Sequence, residues 1–156
     1  GKYDLFKGRP WVATPNENTD HAALEVIHKL VLSLGSKWIT TDSQKHDEAV
    51  ALISHLPVLV SAALLNTTAG KNTNSSTLSL AKLLSATGFL DTTRVGGGNP
   101  QLGMDLAIYN QENILNALAE FKEKINVLES LIKDKNWKLL SKKLLEAKEI
   151  RANFIN

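Results

Sequence analysis

The sequence has no cysteine among its 156 residues. Disulfides, thiolate metal sites and a cysteine nucleophile are therefore excluded, and a reducing, cytoplasmic setting is the expectation. A surplus of one charge is also missing. The 18 Lys and Arg against 16 Asp and Glu leave a formal net charge of +2, too little to imply a nucleic-acid or anionic-membrane partner. No uninterrupted apolar run approaches the roughly 18 residues a spanning helix needs, so no membrane partner is expected. The opening GKYDLFKGRPW lacks the apolar core of a signal peptide. With no initiator Met, the chain reads as a fragment or a processed form. There is no GxGxxG fingerprint, no Ser-His-Asp signature and no carboxylate pair suited to acid–base work. What remains is 43% apolar and 22% charged, an ordinary globular balance at the length of one domain, or one domain plus a fragment.

Two short β-like segments, RPWVATP (9–15) and KWITT (37–41), flank NENTDHAALEVIHKLVLSLG. Asn18 or Thr19 can cap a helix there, and Gly35 can end it in the left-handed conformation. Leu24, Ile27, Val31 and Leu34 keep helical spacing and predict one buried face. Residues 9–41 thus predict a β-α-β unit. Two strands bury too little surface to stand alone, so the unit is expected to be the edge of a larger sheet.

From Asp42 onward the pattern is helical. One helix runs from Asp42 or Ser43 to about Ala69 and contains ISHLP (53–57). Ser54 and His55 need partners if buried, and Pro57 removes a donor and should bend the helix, freeing the Ile53 carbonyl. GKNTNSS reads as a polar loop, and Ser75 or Ser76 as the cap of a helix ending at Gly88. FLDTTRVGGG reads as irregular. Asn99 caps the next helix, with Pro100 at its first position. From Asn110, the residues Ile114, Leu118, Phe121, Ile125, Leu128 and Ile132 form a coiled-coil-like seam that needs a partner. A final amphipathic, basic helix spans about 137–154.

The histidines do not make a metal site. His21 and His28 lie about 10.5 Å apart along one helix, and His46 and His55 fall on opposite faces of a straight one. His55, among Ile53, Leu56 and Val58, is either a core histidine tied to a backbone carbonyl or a group facing a ligand. Arg94, just before three glycines, is either a carboxylate clamp or a surface partner of Asp91. The glycines lack phosphate-loop spacing.

Three segments taken together, HDEAVALISHLPVLVSAAL, SATGFLDTTRVGGGNPQLGMDLAIYN and the preceding WVATPNENTD, resemble the prephenate/arogenate dehydrogenases of tyrosine biosynthesis, most closely those of cyanobacteria. The specific motifs are His-Asp, seven residues, then His-Leu-Pro, followed by Gly-Phe-x-Asp-Thr-x-Arg and Asn-Pro. The resemblance implies a mainly α fold: a C-terminal all-helical dimerisation domain (43–156) preceded by a β-α-β remnant of a Rossmann-type domain (1–42). It implies a homodimer that oxidatively decarboxylates arogenate or prephenate with NADP or NAD, with tyrosine as a candidate inhibitor. By position, Arg94 matches the arginine that grips a substrate carboxylate. Ser54 and His55 match the Ser-His facing the active-site cleft, and His46 matches a further histidine lining it.

The family's Gly-rich fingerprint and its catalytic histidine, in a His-Pro-Met-Ala-Gly motif, do not occur here. The resemblance therefore implies no catalytic residue in this chain, cofactor binding mainly elsewhere, and no turnover by the chain alone. Related enzymes often read His-Leu-Pro-His, where this chain has Val58, and carry a Lys and a Trp in regions where it has Leu90 and Gly103. Fewer cationic groups suit a substrate that keeps an amino group, which favours arogenate over prephenate. The alternative from another class is a non-catalytic helical dimerisation or regulatory module built on the seam helix.

Overall fold

A computed structural model describes residues 4–70 and 73–155. The middle of the expected loop GKNTNSS lies outside the described residues. Strand β1 (Pro10–Ala13) and strand β2 (Lys37–Thr40) pair in parallel, with Trp11 opposite Trp38 and Val12 opposite Ile39. Pro10, which cannot donate, stands at the first position of its strand. Helix α1 (His21–Ser33) makes the crossover. Its cap is Asp20, not Asn18 or Thr19: the carboxylate accepts from the Ala22 and Ala23 N–H groups. Thr19 is engaged instead in a turn with Asn16. Gly35 ends the helix at φ +73°. Of the predicted apolar face only Val31 is buried, while Ile27 and Leu34 remain 42% and 39% exposed. A two-stranded sheet is too narrow to cover that face.

Asp42 caps helix α2 (Ser43–Val50) through the Lys45 N–H. The helix continues through one π turn, Ala51–His55, into helix α3 (Leu56–Thr68). The cause lies at Pro57, whose nitrogen cannot donate to Ile53. The Leu56 N–H reaches five residues back to the Ala51 carbonyl, the spacing of a π turn. The expected bend is thus absorbed as a widened turn, and the helix runs unbroken from Ser43 to Thr68. By length and composition this helix contains a stretch able to cross a membrane, which corrects the expectation drawn from uninterrupted apolar runs. Ser54 and His55 interrupt the run without ending the helix.

Helix α4 (Ser75–Leu84) is capped by Asn74, not by Ser75 or Ser76; the Asn74 side-chain Oδ1 accepts from the Thr77 N–H and the Ser76 hydroxyl. The stretch expected to be irregular contains helix α5 (Thr87–Thr93), in which Thr92 and Thr93 return their hydroxyls to carbonyls four residues back. Those bonds satisfy side chains that otherwise compete with a helix. Helix α6 (Pro100–Tyr109) has the expected Asn99 cap and Pro100 in its first turn. Helices α7 (Gln111–Lys133) and α8 (Trp137–Ala152) complete the chain.

The chain divides into two compact units, Gly1–Asn113 and Ile114–Asn156. In α7, Ile114, Ala117 and Leu131 are buried, whereas Ile125 and Ile132 of the seam are 45% and 53% exposed. The predicted seam is therefore buried at Ile114, half-buried at Leu118, Phe121 and Leu128, and open at Ile125 and Ile132. The observed architecture is mainly α, all-helical after a β-α-β unit, as the sequence implied.

Candidate functional site

The site lies within the first unit and is organised around the π turn. His55 ends that turn and is buried. Its partner is Asn110, in the break between α6 and α7, and not the backbone carbonyl considered above. Asn110 Nδ2 donates to the Asp47 carbonyl at 2.7 Å and lies 3.3 Å from His55 Nδ1. Asn110 Oδ1 accepts from Asn113 Nδ2 at 2.8 Å. His46, half-buried, places Nδ1 2.8 Å from the Asp47 carboxylate. One polar cluster thus joins His46, Asp47, His55 and Asn110. Burial lowers the His55 pKa below 6.5; the Asp47 charge opposes that shift and His46 adds to it.

Ser54 precedes His55 but is exposed, and its hydroxyl makes no hydrogen bond among the described residues. Arg94 is exposed at the C-terminal end of α5. It forms no ion pair with Asp91 among the described residues, whose salt bridges all lie elsewhere. The guanidinium is therefore presented to solvent on a short segment with a firm base. That base is Gly96, whose N–H donates to the buried Ser61 hydroxyl at 2.8 Å. The Gly96 Cα lies so close to α3 that a Cβ would overlap the Ala62 nitrogen and the Ser61 carbonyl carbon. The glycine run is therefore closely packed against α3 at this position.

An apolar cavity of about 380 Å³ lies between α3, this glycine segment and α6, with Val58, Ala62, Gly96, Gly103, Met104 and Ala107 in its wall. Val58 and Gly103 face each other: a Cβ on Gly103 would touch the Val58 methyl at 3.9 Å. Two of the three positions where this chain differs from the motifs of its resemblance, Val58 and Gly103, thus share one wall; the third, Leu90, is not part of it. His55 belongs to the polar cluster one turn before Val58, and Arg94 is two residues before Gly96. The structure therefore gathers His46 and His55 into one cluster, and sets Ser54 and Arg94 outside it at the surface.

Asn110 was missed by the sequence reading. It stands 55 positions from His55, and the only local signal was an Asn at a helix boundary. No three His, Asp or Glu side chains among the described residues come together as a metal-ligand group. Nor do the described residues of the β-α-β unit form a pyrophosphate site. The N-terminus of α1, where a pyrophosphate would sit in a β-α-β unit, is already closed by the Asp20 carboxylate, and the preceding loop Thr14–Thr19 has no glycine.

Residues 42–146 match the family described as prephenate dehydrogenase, dimerization domain. The chain is 26% identical over 147 residues to the prephenate dehydrogenase of Bacillus subtilis, covering 94% of this chain and 39% of that protein. Among solved structures, Synechocystis arogenate dehydrogenase superposes with a TM-score of 0.87 at 40% identity, over 97% of this chain and 54% of that one. A prephenate dehydrogenase from A. aeolicus, solved with hydroxyphenyl propionate and NAD+, superposes with a TM-score of 0.83 at 25% identity, over 97% and 52%. The chain therefore spans about half the length of these relatives or less.

Proposed function

From the chain's membership of the prephenate dehydrogenase family, whose dimerization domain it carries, we propose that it is the dimerisation and substrate-binding half of an arogenate dehydrogenase. The whole protein would carry out oxidative decarboxylation in tyrosine biosynthesis as a homodimer, with NADP or NAD held mainly outside the residues present here. Residues 1–42 are assigned to the edge of the nucleotide-binding domain and 43–156 to the helical domain. The chain alone is expected to be inactive.

The observation that carries the substrate reading is the guanidinium of Arg94, unpaired among the described residues, on a segment anchored at Gly96 to the helix that bears His55. A planar fork held on a rigid segment suits bidentate capture of a carboxylate. His55 and His46 would supply hydrogen-bonding groups from the polar cluster, and Ser54 a hydroxyl at the surface. The apolar wall of Val58 and Gly103 adds no further cation, which favours a substrate carrying an ammonium group over a second bare anion. The 40% identity to an arogenate dehydrogenase supports the same choice.

Calorimetry on the full-length dimer tests the site. Arg94→Ala should abolish arogenate binding while the dimer persists; unchanged affinity would refute the assignment. Steady-state rates on arogenate and prephenate decide the substrate, and a clear preference for prephenate would overturn that part. Tyrosine titrated in the same calorimeter tests the inhibitor assignment. A full-length protein that dimerises but binds neither substrate would instead favour the non-catalytic helical module.

A further inference from the structure

We propose that Asn110 is a positioning residue that fixes His55 in one neutral tautomer, with Nδ1 bare and the proton on Nε2, so that the ring offers a hydrogen-bond donor to the ligand. The proposal rests on the substrate-site reading above. The argument starts at the two ends of the Asn110 amide. One end must be NH2, because it faces the Asp47 carbonyl at 2.7 Å, and a carbonyl only accepts. The other end is then oxygen, and it accepts an N–H from Asn113 at 2.8 Å. The Asp47 carbonyl thus gives the amide one orientation. Its second N–H is then the group that meets His55 Nδ1 at 3.3 Å. A donor facing Nδ1 requires Nδ1 to be an acceptor, and a neutral imidazole with a bare Nδ1 carries its proton on Nε2.

The surroundings favour the same state. Burial disfavours the imidazolium, and a proton on Nδ1 would set two N–H groups against each other. The nearby titratable groups in the cluster are His46 and Asp47, and they already engage one another. Nε2 itself has no partner among the described residues, yet no fully buried side-chain nitrogen or oxygen there lacks one. The Nε2–H end therefore reaches the surface and is available to an acceptor such as a carboxylate oxygen. Asn110 does not touch the ligand; it sets which end of His55 does.

Nitrogen-15 NMR of histidine-labelled chain at pH 7.5 reads the tautomer directly. The His55 Nδ1 resonance should lie at the unprotonated position and Nε2 at the protonated one. The reverse assignment overturns the proposal without any variant. In Asn110→Asp a carboxylate replaces the donor, and the two resonances should exchange positions; an unchanged spectrum from the folded variant also overturns it. In the full-length enzyme the same substitution should weaken arogenate binding about tenfold, the loss of one charge-assisted hydrogen bond. Inverted resonances with unchanged affinity would overturn the ligand-positioning role provided Arg94→Ala still abolishes binding. If Arg94→Ala also leaves affinity unchanged, it is the substrate-site reading that fails, and the tautomer measurement stands apart from it.

Discussion

His55 sits neutral in a buried cluster, and its lowered pKa carries a direction for stability. The unfolded chain takes up a proton at the ordinary histidine pKa of 6.5, whereas the folded ring resists it because of burial. Above 6.5 neither state is protonated and the shift contributes nothing. As the pH falls through 6.5, the unfolded state binds the proton first, so the folded state loses stability until the lower, folded pKa is passed. Urea midpoints at pH 8 and pH 5 should therefore differ, and His55→Gln should narrow the difference; an equal gap in the variant would contradict the shift. Two glycines give opposite expectations at the same scale. Gly96→Ala drives a methyl into the backbone of α3 and should destabilise by about 1–3 kcal/mol. Gly88 lies in α5 with open space around its Cα, so Gly88→Ala should stabilise by up to about 1 kcal/mol. Thermal melts of both variants check the signs.

At the scale of elements, the π turn decides which side chains share a face. Widening one turn is equivalent to inserting one residue into an α-helix, and each residue turns the chain by about 100°. Deleting the exposed Leu52 should therefore restore regular α geometry while α2 and α3 keep their faces. Deleting Val60 instead rotates the rest of α3 away from Gly96. Circular dichroism should show a cooperative melt for the first deletion and loss of one for the second. Most elements were legible because their ends carry local chemistry: Asn99-Pro100 begins α6, Gly35 ends α1, and the β-α-β rhythm is written in Trp11, Val12 and Ile39. Helix α5 was not, since Thr92 and Thr93 oppose a helix until their hydroxyls find carbonyls within it. The caps Asp20 and Asn74 were each missed by one position, because adjacent Asn, Thr and Ser offer the same chemistry. The site was legible as types and not as contacts. His55 was marked by its apolar neighbours, but Asn110 reaches it across 55 residues, and no local pattern encodes that pairing.

For the whole molecule, the notable quantity is apolar surface left in water. Ile53 is 63% exposed, Leu83 83% and Tyr109 83%, and only 11% of the apolar stretch within Ser43–Thr68 is buried. In a chain that carries a dimerization domain, a second copy is the natural cover for such a surface. Sedimentation at micromolar concentration should return a dimer, and flotation with lipid vesicles should leave the chain in the aqueous fraction; monomers alone, or chain rising with the vesicles, would contradict this. The strand pair has a different consequence. Strands β1 and β2 each have one neighbour among the described residues, so each leaves a row of backbone donors and acceptors on its outer side. In the terms of split proteins, such a row is a receiving edge. A separately made polypeptide that supplies a matching strand should dock on that row, and its binding should raise the melting temperature of the chain with concentration, as mass action requires.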